Sequence, residues 1–429
     1  MSDQSNLSRR DFLRTAGAIG VGAIGARALL SGTRVFAQGS PTAAGTQPAA
    51  LTQPVAEDAL TVPTRPFGKT GMNVSMLSLG GIFDIPRNQM VLKQAYKWGI
   101  TYWDTANSYQ DGNSEMGIGM YLDANPGHRK NLCLVTKTST RDSAGISQEL
   151  QTSLERLKTD HVDMYFIHGV RSPKELAQYG QEWKAWAEKA KAEKKIRFFG
   201  FSTHSNMEEN LQAAAGLGFI DGIMLSYNFR IMDTDKMKSA VDACVKAGIG
   251  LTAMKTQGAK SRRAASQPAG AEEAELAMVE RFAKRGFNDH QARLKAIWEN
   301  PHIASICSQM PNLNILQSNY QAAVDKTSLS RIDKELLRQY AAATCSSYCA
   351  GCGNICQDAS GGLPIADVMR FLMYHNDYGL TDHARKLFAE LPGTVRWQLA
   401  QADFSLAQHH CPQGLAIAEM MREAAETLA

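Results

Sequence analysis

Short apolar segments that each end in an ionisable residue are the feature of this sequence that most limits its fold. Asp104 closes ITYWD, Lys137 closes NLCLVTK and His168 closes VDMYFIH. Helical patterns such as ELQTSLERLK lie between them, and strands that alternate with helices predict parallel βα units. In a (β/α)8 barrel the C-terminal ends of successive strands converge on one face, where active sites lie. The sequence therefore predicts an α/β chain with a TIM barrel whose open face carries these side chains.

Tyr109 follows Asp104 by five residues, so it is expected on the same face. A tyrosine ordinarily loses its proton near pH ~10. A lysine ammonium beside it favours the phenolate and lowers its pKa, and a carboxylate holds the lysine in place. Such a phenol can act as a general acid or base. We therefore expect a catalytic group that delivers a proton to a carbonyl oxygen, formed by Asp104, Tyr109, Lys137 and His168.

This ordered set resembles the catalytic tetrad of the aldo-keto reductase family. The resemblance extends to RPFGKTGMNVSMLSLGG, GITYWDTANSY, SLERLKTDHVDMYFIH and KKIRFFGFSTH, and to Tyr227–Asn228. It implies a barrel over residues 65–335 and an oxidoreductase that interconverts a small-molecule carbonyl and an alcohol. Tyr109 is then the proton donor.

The resemblance also implies NAD(P)H as a cofactor, with a nicotinamide site formed by Ser202, Thr203, Met224, Tyr227, Met254 and Asn319. The family uses a Ser–Asn pair, a glutamine and a stacking aromatic, whereas this chain has Thr203, Met224 and Met254 at the last three positions. The positions that clamp the 2′-phosphate of NADP hold Gln309, Met310 and Ile315. None of these side chains pairs with a phosphate charge. These departures argue against NADP specificity and leave the use of NAD(P)H open.

Five of the eight cysteines lie near the C-terminus, at Cys345, Cys349, Cys352, Cys356 and Cys411. Thiolates at such spacings can hold one [4Fe–4S] cluster, whereas disulfides and zinc are the alternatives. The segment after Cys411–Pro412 resembles the closing element of bacterial ferredoxins, which favours the cluster. By that resemblance Cys345, Cys349, Cys352 and Cys411 are the ligands, and the local alternative uses Cys356 instead of Cys411. We predict a small, mainly helical, ferredoxin-like iron–sulfur domain over residues 336–429.

The N-terminus carries targeting signals. Arg9–Arg10 and the Gly/Ala-rich apolar stretch that follows resemble a twin-arginine export signal over residues 1–37. Residues 38–64 are rich in Ala, Thr, Gln and Pro and predict a linker. We therefore expect the twin-arginine export machinery as a partner and a periplasmic or otherwise exported location. The apolar stretch contains Arg27 and is a poor permanent membrane anchor.

Charge and length limit the remaining functions. The net charge of +4 is spread thinly over 429 residues without a basic stripe, which excludes nucleic acid as a partner. The first hypothesis is an exported oxidoreductase in which the cluster transfers electrons from a redox protein or stabilises the fold. The second is an electron-transfer or binding module on a barrel that no longer uses nicotinamide. The four polar strand-end groups favour the first, because each is costly to bury without a partner.

Overall fold

The structure is a computed structural model that describes residues 60–259 and 270–429. The predicted export signal (1–37) and nearly all of the predicted linker (38–64) lie outside the described residues. The described residues belong to one compact unit. Among them no helix combines the length and the apolar character needed to cross a membrane.

Eight parallel strands close into a barrel, as the sequence predicted. An antiparallel hairpin, β1 Thr64–Pro66 and β2 Asn73–Ser75, precedes them. The barrel strands are β3 Leu77–Gly80, β4 Tyr102–Asp104, β5 Cys133–Thr138, β6 Val162–Ile167, β7 Ile196–Thr203, β8 Gly222–Ser226, β9 Gly250–Met254 and β10 Ile303–Gln309. Each strand pairs with the next in the chain, and β10 pairs with β3 to complete the ring.

Helices follow the strands and pack around the outside of the barrel. They are α1 Gln89–Lys97, α2 Asn113–Ala124, α3 Ser143–Leu157, α4 Pro173–Ala192, α5 Met207–Ala215, α6 Asp235–Lys246, α7 Ala271–Lys284, α8 Asp289–Trp298 and α9 Leu313–Val324. Side-chain caps define where several of these helices begin. Before α3 the Asp142 side chain accepts a hydrogen bond from the backbone N–H of Gly145. Before α6 the Thr234 side chain accepts one from the backbone N–H of Met237. Because the caps satisfy otherwise unpaired N–H groups, each helix starts at a defined residue.

Side chains along each strand alternate between the barrel interior and the helix layer. Tyr102, Val135 and Met224 fill the interior. Phe67 of the hairpin closes the base, where Cβ atoms on Gly222 and Gly250 would collide with its ring. The same alternation directs the residues two positions further along, such as Asp104 and Lys137, inward at the open face.

The chain ends in further helices: α10 Arg331–Ala343, α11 Gly353–Ala359, α12 Ile365–Asn376, α13 Thr381–Ala389, α14 Gly393–Gln401, α15 Ser405–His409 and α16 Ile417–Leu428. Helix α10 crosses the domain boundary predicted between residues 335 and 336, and it packs with α7 through Leu337 and Tyr340. Helices α11–α16 share an apolar core of their own. We call α11–α16 and the loop before them, residues 344–429, the C-terminal domain.

Candidate functional site

A buried ion pair lies at the open ends of β4 and β5. Lys137 Nζ is 2.5 Å from Asp104 Oδ1 and 2.7 Å from the carbonyl oxygen of Thr105. Only 1% of the Lys137 side chain and 3% of the Asp104 side chain is exposed. Burial raises the pKa of Asp104, and the neighbouring ammonium opposes this rise. The carboxylate holds the lysine in place, as the sequence analysis expected.

Tyr109 starts a short 3-10 turn, Tyr109–Gly112, that follows β4. In this turn Gln110 and Asp111 have φ of 52° and 54°, a left-handed conformation that is costly for residues with a Cβ. The turn places the Tyr109 ring centroid 4.9 Å from Lys137 Nζ. The His168 ring lies edge-on, with 5.6 Å between the two ring centroids. All four predicted catalytic residues are therefore brought together at the open face.

The protonation of Tyr109 differs from the sequence expectation. Burial and the Asp104 carboxylate raise the pKa of Tyr109 well above its ordinary value. The hydrogen bonds of Lys137 go to Asp104 and Thr105 instead of the phenol. Burial and the nearby Lys137 and Arg370 charges hold the pKa of His168 well below its ordinary value. Tyr109 is thus a neutral phenol beside a neutral imidazole.

The residues expected to hold the nicotinamide lie in separate environments. The Ser202 hydroxyl accepts from the backbone N–H of Gly169 at the open face. The Thr203 hydroxyl donates to the Val170 carbonyl at 2.8 Å and accepts from the Asn210 amide at 3.0 Å. Met224 is packed inside the barrel, and Met254 packs partly buried against that cluster. Tyr227 faces the helix layer, where its hydroxyl accepts from Asn300.

The positions expected to clamp a 2′-phosphate present no cation. Asn319 on α9 donates to the Ser308 hydroxyl, and Gln309 donates to the Ile82 carbonyl, each at 3.0 Å. Met310 is fully buried in the core, and Ile315 is 41% exposed. A phosphate clamp of the family's kind is therefore absent from these positions.

The C-terminal domain covers the open face at the ends of β7, β8 and β9. After β7, Asn206 N–H donates to the Gly351 carbonyl at 2.7 Å. After β8, Asn228 donates to the Tyr348 hydroxyl at 2.9 Å. After β9, Lys255 Nζ donates to the Tyr374 hydroxyl at 2.9 Å. The resemblance places the nicotinamide on this face, so the residues present do not fit that cofactor in the family's manner.

Four cysteines line one cavity within the C-terminal domain: Cys349, Cys352, Cys356 and Cys411. We call it the cysteine cavity. Its walls are mainly apolar and include Ile355, Ile365, Met369 and Leu415. Cys345 does not line it and lies in a 3-10 turn before α11. The set therefore contains both Cys356 and Cys411, a combination that neither predicted ligand set contained.

Four cysteines on one cavity match the number of thiolates that a [4Fe–4S] cluster takes, one at each iron. All eight cysteines are free thiols. Among the described residues, no three His, Cys, Asp or Glu side chains form a group that could hold a single metal ion. The cysteine cavity has about 350 Å³ of empty space, including its opening to solvent.

The sequence analysis missed four residues at the open face: His204, Lys255, Arg370 and Tyr374. Lys255 closes the apolar run GIGLTAMK in the way that Lys137 closes its own strand, so the strand-end criterion would have found it. Arg370 and Tyr374 lie on α12, and no local pattern indicates that this helix reaches the barrel.

Comparison with known proteins supports the family resemblance. The sequence profile of the Aldo/keto reductase family matches residues 79–300, just over half of the chain. The chain is 29% identical over 154 residues to the uncharacterized oxidoreductase YqkF of Bacillus subtilis, covering 32% of this chain and 48% of that protein. It is 28% identical over 200 residues to the aldo-keto reductase str7 of Strobilurus tenacellus, covering 42% and 56%. The chain thus spans about half the length of these curated relatives.

Solved structures show the same fold. The aldo-keto reductase AKR11C1 of Bacillus halodurans superposes with a TM-score of 0.53 in its holo form and 0.51 in its apo form. The sequence identities are 20% and 22%, and each match covers 65% of this chain and 96% of the other. With the matching profile and the closed eight-stranded barrel, these similarities establish that the chain belongs to the aldo/keto reductase family of oxidoreductases.

Proposed function

We propose that this protein is an oxidoreductase that interconverts a carbonyl group and an alcohol at the open face of its barrel. The observation that carries this proposal is the convergence of Tyr109, the buried Lys137–Asp104 pair and His168. A neutral phenol can hydrogen-bond a carbonyl oxygen and release its proton as negative charge develops there. The Lys137 ammonium, 4.9 Å from the ring centroid, stabilises the phenolate that Tyr109 becomes.

The proposal includes one [4Fe–4S] cluster in the C-terminal domain, with Cys349, Cys352, Cys356 and Cys411 as ligands. The shared cavity and its apolar walls support this set. When bound, such a cluster exchanges single electrons, and a redox protein is the expected partner. Cys345, a ligand in both sets derived from the sequence, is outside the proposed set.

Export through the twin-arginine machinery to the periplasm or beyond also remains part of the proposal. Its support is the sequence of residues 1–37, with Arg9–Arg10 and the Gly/Ala-rich stretch. Twin-arginine systems carry folded proteins, so a cluster inserted in the cytoplasm would cross with the chain. A free nicotinamide pool is not expected outside the cytoplasm, which fits a protein whose electrons come from a protein partner.

One observation favours a second function, an electron-transfer or binding module without carbonyl chemistry. The contacts of Asn206, Asn228 and Lys255 with the C-terminal domain occupy the face on which family members hold nicotinamide. A barrel covered in this way binds small ligands without receiving a hydride. The polar groups of the tetrad would then serve ligand binding alone.

Two measurements on the purified, iron-containing protein separate these functions. Calorimetric titration with NADH and NADPH should show no hundredfold preference for NADPH, because Gln309, Met310 and Ile315 carry no cation. A panel of aldehydes and ketones is then assayed with NADH, with NADPH and with reduced methyl viologen as a one-electron donor. Turnover with any donor supports the oxidoreductase. Carbonyl binding without turnover under all three conditions supports the second function.

A further inference from the structure

A second cavity lies between the open face of the barrel and the C-terminal domain, and we call it the mouth cavity. Its polar lining includes His204, Ser226 and Lys255 of the barrel and Arg370 of α12, together with Tyr348 and Cys349. It has about 430 Å³ of empty space, including its opening to solvent. None of the described residues that line it is an aspartate or a glutamate. An amine and a guanidinium group therefore face this space without a carboxylate in its wall.

Lys255 is held in place by its backbone and by one phenol. It has φ of 55°, a left-handed conformation that is strained for a residue with a Cβ and is concentrated at functional sites. Its ammonium donates to the Tyr374 hydroxyl at 2.9 Å and lies 4.3 Å from the centroid of that ring. The phenol oxygen accepts this hydrogen bond and fixes the position of the Lys255 side chain.

The charge of Arg370 is only partly compensated. Its Nη2 donates to Asp367 Oδ1 at 2.7 Å, but the same carboxylate also pairs with Arg171 at 3.2 Å. Arg370 Nε is buried without a hydrogen-bond partner among the described residues. Two guanidinium groups thus share one carboxylate, and one donor of Arg370 remains unused.

The neighbouring titratable groups respond to this positive potential. Burial and the charges of Lys255 and Arg370 hold the pKa of His204 well below its ordinary value, so its ring is neutral. Burial opposes ionisation of Tyr374, but Lys255 and Arg370 outweigh it, and its pKa lies below the ordinary value. The cavity therefore favours negative charge.

We infer that the mouth cavity binds the carboxylate of an anionic ligand through Lys255 and Arg370, and that the carbonyl substrate class is that of oxo acids. Arg370 offers the fork of N–H donors that pairs with a carboxylate, and Lys255 adds a second charge. His204 and Ser226, joined by a 3.1 Å hydrogen bond, offer neutral polar groups beside them. The substrate part of this inference rests on the proposed carbonyl–alcohol chemistry, whereas the anion site itself does not.

The test compares pyruvate with methyl pyruvate, which has the same skeleton without the charge. Calorimetry at constant ionic strength on the purified full chain should show pyruvate binding at least tenfold tighter. Lys255→Met and Arg370→Gln should each weaken pyruvate binding about ten- to hundredfold, the usual effect of losing a hydrogen bond to a charged group. The binding of methyl pyruvate should change little.

One further variant serves as a control. Lys386→Gln removes a cation of the C-terminal domain that pairs with Asp111 and does not line the mouth cavity, so it should leave pyruvate binding unchanged. Circular dichroism checks the fold of every variant. Equal affinity for pyruvate and methyl pyruvate, no pyruvate binding, or an equal loss of pyruvate binding in Lys386→Gln would overturn the inference.

Failure of the proposed function has a different signature. If pyruvate binds through Lys255 and Arg370 but is never reduced with any electron donor, the anion site stands and the carbonyl chemistry is wrong. If methyl pyruvate is reduced as well as pyruvate with equal KM, the chemistry stands and the anion site is wrong.

Discussion

At the scale of single residues, the Lys137–Asp104 pair is the most sensitive element of the site, because both charges are almost completely buried. Lys137→Met leaves the Asp104 charge without its partner, and such a loss typically destabilises a protein by about 3–5 kcal/mol. Urea unfolding measures this change. The control is Lys158→Met, since Lys158 forms a 2.7 Å pair with Asp123 but both side chains are at least half exposed. The free energy of unfolding of that variant should fall by less than about 1 kcal/mol. Equal losses in the two variants would contradict the burial of the Lys137–Asp104 pair.

Tyr374 predicts a dependence of stability on pH. Lys255 and Arg370 lower its pKa in the folded chain, against the opposing effect of burial. Above that pKa the folded chain has lost a proton that the unfolded chain keeps until about pH 10. Its contribution to stability is therefore fully present above pH ~10 and is lost as the pH falls through the folded pKa.

Melting temperatures measured at pH 7 to 10 for the wild type and Tyr374→Phe test this sign. The wild type should gain stability relative to the variant as the pH rises. Tyr378→Phe is the matched control, because burial raises the pKa of Tyr378 and its proton stays on throughout this range. A difference between wild type and Tyr374→Phe that does not vary with pH would show that Tyr374 keeps its ordinary pKa.

The sequence predicted which residues meet at the site better than it predicted their protonation. Asp104, Lys137 and His168 were found because each closes an apolar strand, and strand topology alone brings them together. The pKa of Tyr109 was expected to fall, but it rises, because burial depends on the complete fold and Lys137 directs its hydrogen bonds to Asp104. Burial of a side chain is not visible in a local motif.

At the scale of elements, the contact of the C-terminal domain with the barrel depends on Gly351. This residue has φ of 80°, and a Cβ there would lie 2.5 Å from the carbonyl oxygen of His204. Gly361 has φ of 67° with no atom within 4 Å of its Cβ position. Both Gly→Ala variants incur about 1–2 kcal/mol for the left-handed backbone. Only Gly351→Ala should add about 1–3 kcal/mol from overlap.

Thermal unfolding and limited proteolysis of the two glycine variants check this expectation. Gly351→Ala should melt at a lower temperature and expose the C-terminal domain to protease, whereas Gly361→Ala should resist. Equal behaviour would mean that the Gly351–His204 contact does not hold the domain on the barrel.

Strands and helices of the barrel followed from local patterns, because apolar runs and amphipathic periodicity reflect burial within one βα unit. Packing of α10 cannot be predicted in this way, since this helix spans residue 335, continues to Ala343 and packs on α7, which is distant in the sequence. A long-range contact of this kind leaves little trace in local composition.

At the scale of the whole molecule, the cysteine cavity adjoins the mouth cavity at the open face of the barrel. Cys349, Ala350 and Ala366 line both the cysteine cavity and the mouth cavity. The proposed cluster would therefore lie beside the ligand site. Both ligand sets predicted from the sequence include Cys345, which lies outside the cysteine cavity. The position of its turn relative to the cavity is set by tertiary packing, which local spacing does not reveal.

Iron content tests the ligand set. The wild type, purified without oxygen, should contain about four iron atoms for each chain if one [4Fe–4S] cluster is bound. Cys356→Ser and Cys411→Ser should each lose most of this iron, because each removes a thiol from the cysteine cavity. Cys345→Ser should retain it. If Cys345→Ser loses its iron and Cys356→Ser retains it, the proposed set is wrong. The ligands are then the set implied by the resemblance to ferredoxins, with Cys345 and Cys411.

The most direct test of the central claim is the rate of carbonyl reduction by Tyr109→Phe. Removal of the hydroxyl eliminates the proton donor while the ring still packs against His168 and Lys137. We predict a loss of about 10²–10⁴ in kcat, with an unchanged melting profile and unchanged carbonyl binding. Turnover near that of the wild type, on any carbonyl substrate, would contradict the assignment of Tyr109 as the proton donor.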